Sequence, residues 1–258
     1  MIFLQIKRYP QAESAQRIYM EDTVVIALGG SLLSKQSPKE FNSWKLELVE
    51  LCSSLVKSSK KVLIVVGGGK LARKNILIAK NNGVSDEFKL DLVGIEATRI
   101  NANSIVEFFS DSKIHVSKEI PKEINEAILL LNNSNIVVMG GTVPGHTTDA
   151  VAIKMGKEIG TKRVIIATNV THVYTNDPKL DANAKPIESM TLKELGKLTG
   201  IDGEFKPGSS FAVDPVGVKI AIESNISLAI LDGDDINNLR KAICSDSFEG
   251  TLVEGVVE

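Results

Sequence analysis

"KVLIVVGGGK", residues 61–70, places the apolar run Val62 to Val66 directly before Gly67-Gly68-Gly69 and Lys70. A continuous run rich in β-branched residues reads as a strand buried on both faces, as in a parallel sheet covered by helices. After the glycines, "LARKNILIAKNNG" has helical spacing and a glycine to stop it. Strand, glycines and helix thus follow one another within about twenty-five residues.

The pattern recurs on both sides of this stretch. Val24 to Leu28 runs into Gly29-Gly30-Ser31, and Trp44, Leu48, Cys52 and Leu55 then follow at helical spacing. Ile136 to Met139 runs into Gly140-Gly141, and residues 149–159 set Val151, Met155 and Ile159 on one helical face. A longer helix is expected from about Asp91 to Phe109. Val164 to Ala167 and Ser227 to Leu231 read as further strands, with helices near Val213–Ser224 and Asp234–Ile243. The alternation predicts a three-layer α/β/α sandwich with a largely parallel central sheet.

Ligands of open parallel sheets bind beyond the carboxyl ends of the strands. Glycines there let the backbone approach an anion and turn its amides toward it, helped by the next helix N-terminus. One such loop is weak evidence, because glycines also serve plain strand-to-helix turns, whereas three on one sheet edge point to a ligand with several phosphates. The glycine loops match neither the G-x-x-x-x-G-K-[ST] nor the G-x-G-x-x-G pattern. No zinc ligand set, nucleophile elbow or Cys-His pair stands out, so covalent catalysis is disfavoured. Phosphoryl transfer needs none of these, since the nucleophile is the substrate's own oxygen.

Composition narrows the field further. The 258 residues suffice for a full core, and a formal net charge of -2 gives no reason to expect nucleic acid or an acidic membrane surface as partner. No apolar run approaches the ~20 residues of a membrane span. Cys52 and Cys244 read as reduced core residues, consistent with a cytoplasmic protein. The first residues lack the order of a signal peptide, and Met20 stands just before the first strand.

Five motifs occur in a telling order: "LGGSLL", "VVGGGKLAR", "GIEATRINAN", "GGTVPGHTTDAVA" and "TNVTHVYTNDP". Together they resemble the amino acid kinase family, most nearly its archaeal-type UMP kinase branch. The glycine loops are common to the family, while the third and fourth motifs are particular to that branch. The resemblance implies a single domain over 23–258 after an N-terminal extension, 1–22. It also implies a UMP-binding lobe over about 23–160 and an ATP-binding lobe over about 161–258.

Residue by residue, the resemblance implies ATP contacts at Gly30, Ser31, Gly69, Arg73, Thr168, Asn169, Tyr174 and Asp177. It implies UMP contacts at Gly68, Asp91, Thr142, Val143, Pro144, Gly145, His146, Thr147 and Thr148, with Arg73 as the catalytic cation. A guanidinium suits phosphate oxygens, and a cation in a helix's first turn is better explained by a bound anion than by the dipole. Asp91 is able to accept from ribose hydroxyls or to cap a helix. Thr147 or Thr148 serves equally as the cap of the following helix, and Asp214, before Pro215, reads as another cap. Lys70 and His146 read as exposed loop residues as readily as ligand contacts. Asp149 reads as a first-turn residue or an indirect magnesium partner, since it would repel a phosphate.

No protein metal site is implied; Mg²⁺ is expected through the ATP phosphates and water. By the same resemblance the chain is expected to form a homohexamer, a trimer of dimers. The rival expectations are a kinase of this fold acting on isopentenyl phosphate, carbamate or an amino acid, and a non-catalytic nucleotide-binding protein. Two departures stand out. Ala27 stands in the neighbourhood where bacterial members carry a lysine, and Thr171-His172 replaces the usual Asp-Gly. Loss of that glycine matters if the position needs positive φ.

Overall fold

The computed structural model describes residues 22–34, 37–178, 180–201, 213–245 and 247–255. The N-terminal extension expected over 1–22 therefore lies, apart from Asp22, outside the described residues. In chain order the elements open with β1 (Thr23–Leu28), a 3₁₀ turn (Leu32–Ser34), α1 (Pro38–Lys57) and β2 (Lys61–Val66). Helices α2 (Gly69–Asn81), α3 (Glu87–Phe108) and α4 (Ile124–Asn133) precede β3 (Ile136–Met139) and α5 (Thr148–Ile159). Next come β4 (Arg163–Thr168), the short strands β5 (Val173–Tyr174), β6 (Pro186–Ile187) and β7 (Ser189–Thr191), and α6 (Leu192–Thr199). The chain continues with α7 (Pro215–Ser224), β8 (Ser227–Asp232), α8 (Ile236–Cys244) and β9 (Thr251–Glu254).

One sheet runs in the order β3-β2-β1-β4-β8-β9-β7. The five strands β3, β2, β1, β4 and β8 are parallel, β9 runs antiparallel to β8, and β7 is parallel to β9. Alternation along each strand sends side chains to two separate cores. Val25, Leu63, Val65, Val137 and Ile166 pack with residues of α4, α5, α6 and α7. Ile26, Ile64, Val66, Val138 and Ile165 pack on the other face with residues of α1, α3 and α8. The expected three-layer, largely parallel sandwich is the observed fold.

Two helix boundaries show why the layers sit as they do. Helix α1 begins at Pro38, whose fixed φ suits a first turn, with Ser37 as N-cap accepting from Glu40 N. Helix α3 begins a turn earlier than the expected Asp91, because Asp86 is its N-cap and accepts from Phe88 N at 3.0 Å. Asp91 is thereby placed on the helix's second turn, and its capping role is excluded. The sequence reading also passed over α4, α6, β7, β9 and the antiparallel β5–β6 pair; the strands among these are only two to four residues long.

Strands β2 and β3 lie on one side of β1, and β4 and β8 on the other. The order therefore reverses between β1 and β4, and the crevice outside their carboxyl ends is the site such sheets offer. All three glycine loops emerge on this carboxyl edge of the sheet, from β1, β2 and β3.

Candidate active site

At this sheet edge the first two glycine loops are built against each other. A Cβ on Gly30 would overlap the Gly67 carbonyl, and one on Gly69 would overlap Gly30, so both positions exclude side chains. Gly69 also has φ 53°, in the left-handed region open to glycine. The bond Gly67 N to Leu28 O, 2.9 Å, closes the junction. Glycine here thus also allows loop-to-loop contact, besides the approach of an anion and the strand-to-helix turn expected from the sequence.

Helix α3 braces the loops from below. Asn101 Nδ2 donates to the carbonyls of Gly67 (2.7 Å) and Gly68 (3.2 Å). Thr98 Oγ1 accepts from Gly141 N at 2.7 Å and donates to Ile95 O. Both side chains are buried. Thr98 and Asn101 fall within a quoted motif, yet no role was read for them. Two polar residues three apart on a face that also buries Ile95, Ala102 and Ile105 were the available signal, since buried polar groups find partners.

A cavity of about 480 Å³ opens beside this brace. Gly68, Asp91, Val143, Pro144, Gly145, His146, Thr147 and Thr148 line it, together with Gly69 and Arg73. Of the residues expected to hold UMP, only Thr142 stands outside the lining. Asp91 Oδ2 accepts from Gly145 N at 2.8 Å, fixing the 142–148 loop to α3. Gly145 has φ 82°, a turn that its glycine permits. Thr147, not Thr148, caps α5, accepting from Ala150 N at 3.2 Å. Arg73 is exposed on the second turn of α2, not on the first. Lys70 is exposed as well and donates to Ser34 O at 3.3 Å, tying α2 to the first loop.

Of the residues expected to hold ATP, Gly69 and Arg73 line this cavity, whereas Gly30, Ser31, Thr168, Asn169, Tyr174 and Asp177 do not. Gly30 and Ser31 follow the end of β1, and Thr168 and Asn169 stand at the end of β4, the strand beside it. Gly29 N donates to Ala167 O and Gly233 N to Thr168 O, each at 2.8 Å, so these loops are knit together. Asp177 heads a turn whose amides, from Leu180 and Asp181, bond its carbonyl. Ala27 is buried in the core against α5, so no side-chain cation rises from that point.

The Thr171-His172 departure is accommodated without strain. Among the described residues the only non-glycine positions with positive φ are Ser59 and Asn225. The Thr171 hydroxyl is 2.8 Å from the Tyr174 hydroxyl, and the His172 and Tyr174 rings meet edge to face at 6.3 Å.

Asp149, in the first turn of α5, has its carboxyl pushed up to about 7 by burial and then by the Asp214 charge. Asp214 is the N-cap of α7, with Oδ1 accepting from Val216 N (2.8 Å) and Gly217 N (3.1 Å). Its other oxygen accepts from the Thr147 hydroxyl. Among the described residues no three His, Cys, Asp or Glu side chains converge as a metal cage.

Comparison with known proteins identifies the family and the fold. A family model described as "Amino acid kinase family" matches residues 22–232. The chain is 38% identical to a uridylate kinase of Methanocaldococcus jannaschii, over 90% of this chain and 99% of that one. It is 36% identical to the uridylate kinase of Methanococcoides burtonii, over 90% and 96% respectively. The crystal structure of uridylate kinase from Archaeoglobus fulgidus superposes with a TM-score of 0.75 at 31% identity, covering 89% of this chain and all of that one. A Bacillus anthracis structure shares the fold, with a TM-score of 0.72 at 23% identity.

Proposed function

This chain belongs to the amino acid kinase family, and from that premise we infer that it transfers the γ-phosphoryl group of ATP to UMP, giving UDP and ADP. Its uridylate kinase relatives match it over nine-tenths of its length. The observation that carries the reading within the site is the cavity itself. Glycine-loop backbone, an exposed arginine and a carboxylate-anchored loop face one space of about 480 Å³.

In this reading UMP occupies the cavity, its ribose toward Asp91 and its phosphate toward Gly68, Gly69 and Arg73. The loop from Thr142 to Thr148 encloses the nucleotide. ATP lies across the crevice between the ends of β1 and β4, against Gly30, Ser31, Thr168 and Asn169, with Tyr174 and Asp177 along its nucleoside. Magnesium bound to the ATP substrate would supply charge neutralisation, with no side chain of this chain assigned to hold it. The acceptor phosphate is already anionic near neutral pH, so no general base is required. Catalysis by the chain then consists of in-line positioning and of charge stabilisation by Arg73 and the loop amides.

The oligomer is proposed to be a homohexamer in the cytoplasm. Leu77 and Ile78 on α2, with Phe88, Leu92 and Ile100 on α3, are large apolar side chains left exposed, and they favour a subunit contact on this side. No helix among the described residues is long and apolar enough to cross a membrane.

The test is ADP release from MgATP with UMP, CMP, dUMP, AMP, GMP and isopentenyl phosphate as acceptors. Turnover confined largely to UMP is expected. Preference for isopentenyl phosphate would move the assignment to another kinase of this fold, and ATP binding without ADP release would make the chain a nucleotide-binding protein.

A further inference from the structure

Asp214 stands outside the cavity lining and beyond the residues assigned above, yet its carboxylate joins two elements that lie far apart in sequence. One oxygen caps α7 through the amides of Val216 and Gly217. The other takes the hydroxyl proton of Thr147, a residue of the cavity wall and the N-cap of α5. Thr147 is therefore used twice: its oxygen accepts from Ala150 N while its hydrogen goes to Asp214. This leaves its rotamer little freedom. Gly217 lets the helices come this close, since a Cβ there would lie 3.1 Å from Ile153 Cδ1 and 3.2 Å from Asp214 Oδ2.

We propose that Asp214 is a positioning residue for the acceptor site, clasping the 142–148 loop to the N-terminus of α7 through the Thr147 hydroxyl. The loop is then pinned at two points. Asp91 holds Gly145 from α3, and Asp214 holds Thr147 from α7. Those anchors come from opposite faces of the sheet, because α3 packs in one core and α7 in the other. The depth of the acceptor cavity is thereby set by both outer layers. A charged acceptor strengthens the Thr147 bond, roughly twofold over a neutral one.

The proposal rests on UMP being the acceptor, and the test separates the two. Wild-type turnover of UMP checks the acceptor; the comparison of variants checks the clasp on whichever acceptor is turned over. Asp214→Asn keeps an oxygen for the α7 amides, and asparagine caps helices as well as aspartate. It replaces the charged acceptor that Thr147 uses. The expected result is a three- to tenfold rise in the acceptor KM, with kcat and the ATP KM changed by less than about twofold, as a loss of roughly one hydrogen bond implies. Thr147→Ser, which retains the hydroxyl, should hold the acceptor KM within about twofold of wild type, and Thr147→Val should raise it at least as far as Asp214→Asn. The double variant Thr147→Val/Asp214→Asn should be no worse than Thr147→Val alone. An acceptor KM unchanged in Asp214→Asn would reduce Asp214 to a helix cap and overturn the proposal. Additive effects in the double variant would overturn it equally.

Discussion

The carboxylate of Asp91 and the amide of Gly145 are 54 residues apart in sequence and 2.8 Å apart in space. Asp91 sits on the second turn of α3 and Gly145 at the left-handed turn of the acceptor loop. This bond gives Asp91 a role in the free enzyme besides the proposed contact with ribose. Asp91→Ala removes both, and the UMP KM is expected to rise about ten- to a hundredfold, the range for hydrogen bonds to a charged group. Asp91→Asn retains an oxygen for Gly145 and should fall between Ala and wild type. Discrimination against dUMP should weaken in both variants. Steady-state kinetics with UMP and dUMP measures this, and an unaltered UMP KM in Asp91→Ala would remove the residue from the site.

Arg73 is exposed on the second turn of α2 and lines the cavity beside Gly69. Among the described residues it makes no hydrogen bond or ion pair that would make it a stability element. Arg73→Ala is expected to lower kcat by about 10²–10³-fold, the usual cost of removing one donor aimed at developing charge. Its Tm should stay within about 1 °C of wild type, as for an exposed substitution. Arg73→Lys should recover part of the rate, because it keeps the charge and loses the planar fork. An unchanged kcat/KM in Arg73→Ala would exclude Arg73 from catalysis.

Asp149 makes stability depend on pH in a direction opposite to that of a salt-bridged carboxylate. Its carboxyl is raised to about 7 from an ordinary 3.8, by burial first and by Asp214 second. The folded state thus holds its proton more tightly than the unfolded chain does. Its favourable contribution is complete below the unfolded value and is lost as pH rises through the folded one. Asp149→Asn removes this titration. The variant should melt a few degrees above wild type near pH 8, roughly 1–2 kcal/mol after allowance for its half-buried position, and the gap should close by about pH 4. Calorimetry over that range decides it, and a Tm difference independent of pH would mean that Asp149 titrates normally.

These residues mark how much was legible before the fold was known. The strands of the parallel sheet were readable because each is a continuous apolar run, and a strand end followed by glycines places its loop at one sheet edge. The loop from Val143 to Thr148 was placed at that edge for the same reason, whereas its residues were named as ligand contacts by the family resemblance. Asn101 and Thr98 were not, because their partners are backbone groups 34 and 43 residues away. The Thr147–Asp214 bond spans 67 residues, and only the packing of α5 on α7 creates it. Asp214 was legible as a cap, which is local chemistry, and illegible as a clasp, which is tertiary. Strand β9 escaped because its alternation, Thr251 buried, Leu252 half-buried, Val253 buried, Glu254 exposed, is too short to stand out.

Thr171 and His172, where the family usually carries Asp-Gly, give the last prediction. The Thr171 hydroxyl bonds that of Tyr174, and the His172 ring packs on the Tyr174 ring. The pair therefore immobilises the tyrosine proposed to lie along the ATP nucleoside. Thr171→Val keeps the shape and deletes the hydroxyl, so the ATP KM should rise about three- to tenfold while the UMP KM stays fixed. The reversion Thr171→Asp/His172→Gly should keep turning over UMP. Its Tm should fall by about 1–4 °C, because glycine adds backbone entropy at a position that does not need positive φ. Kinetics against ATP and UMP, with melting curves, separates the outcomes. An ATP KM unmoved in Thr171→Val would detach the pair from the donor site. A tenfold gain of kcat on reversion would show that Thr171-His172 cripples the donor site, where the bonds to Tyr174 predict that it supports it.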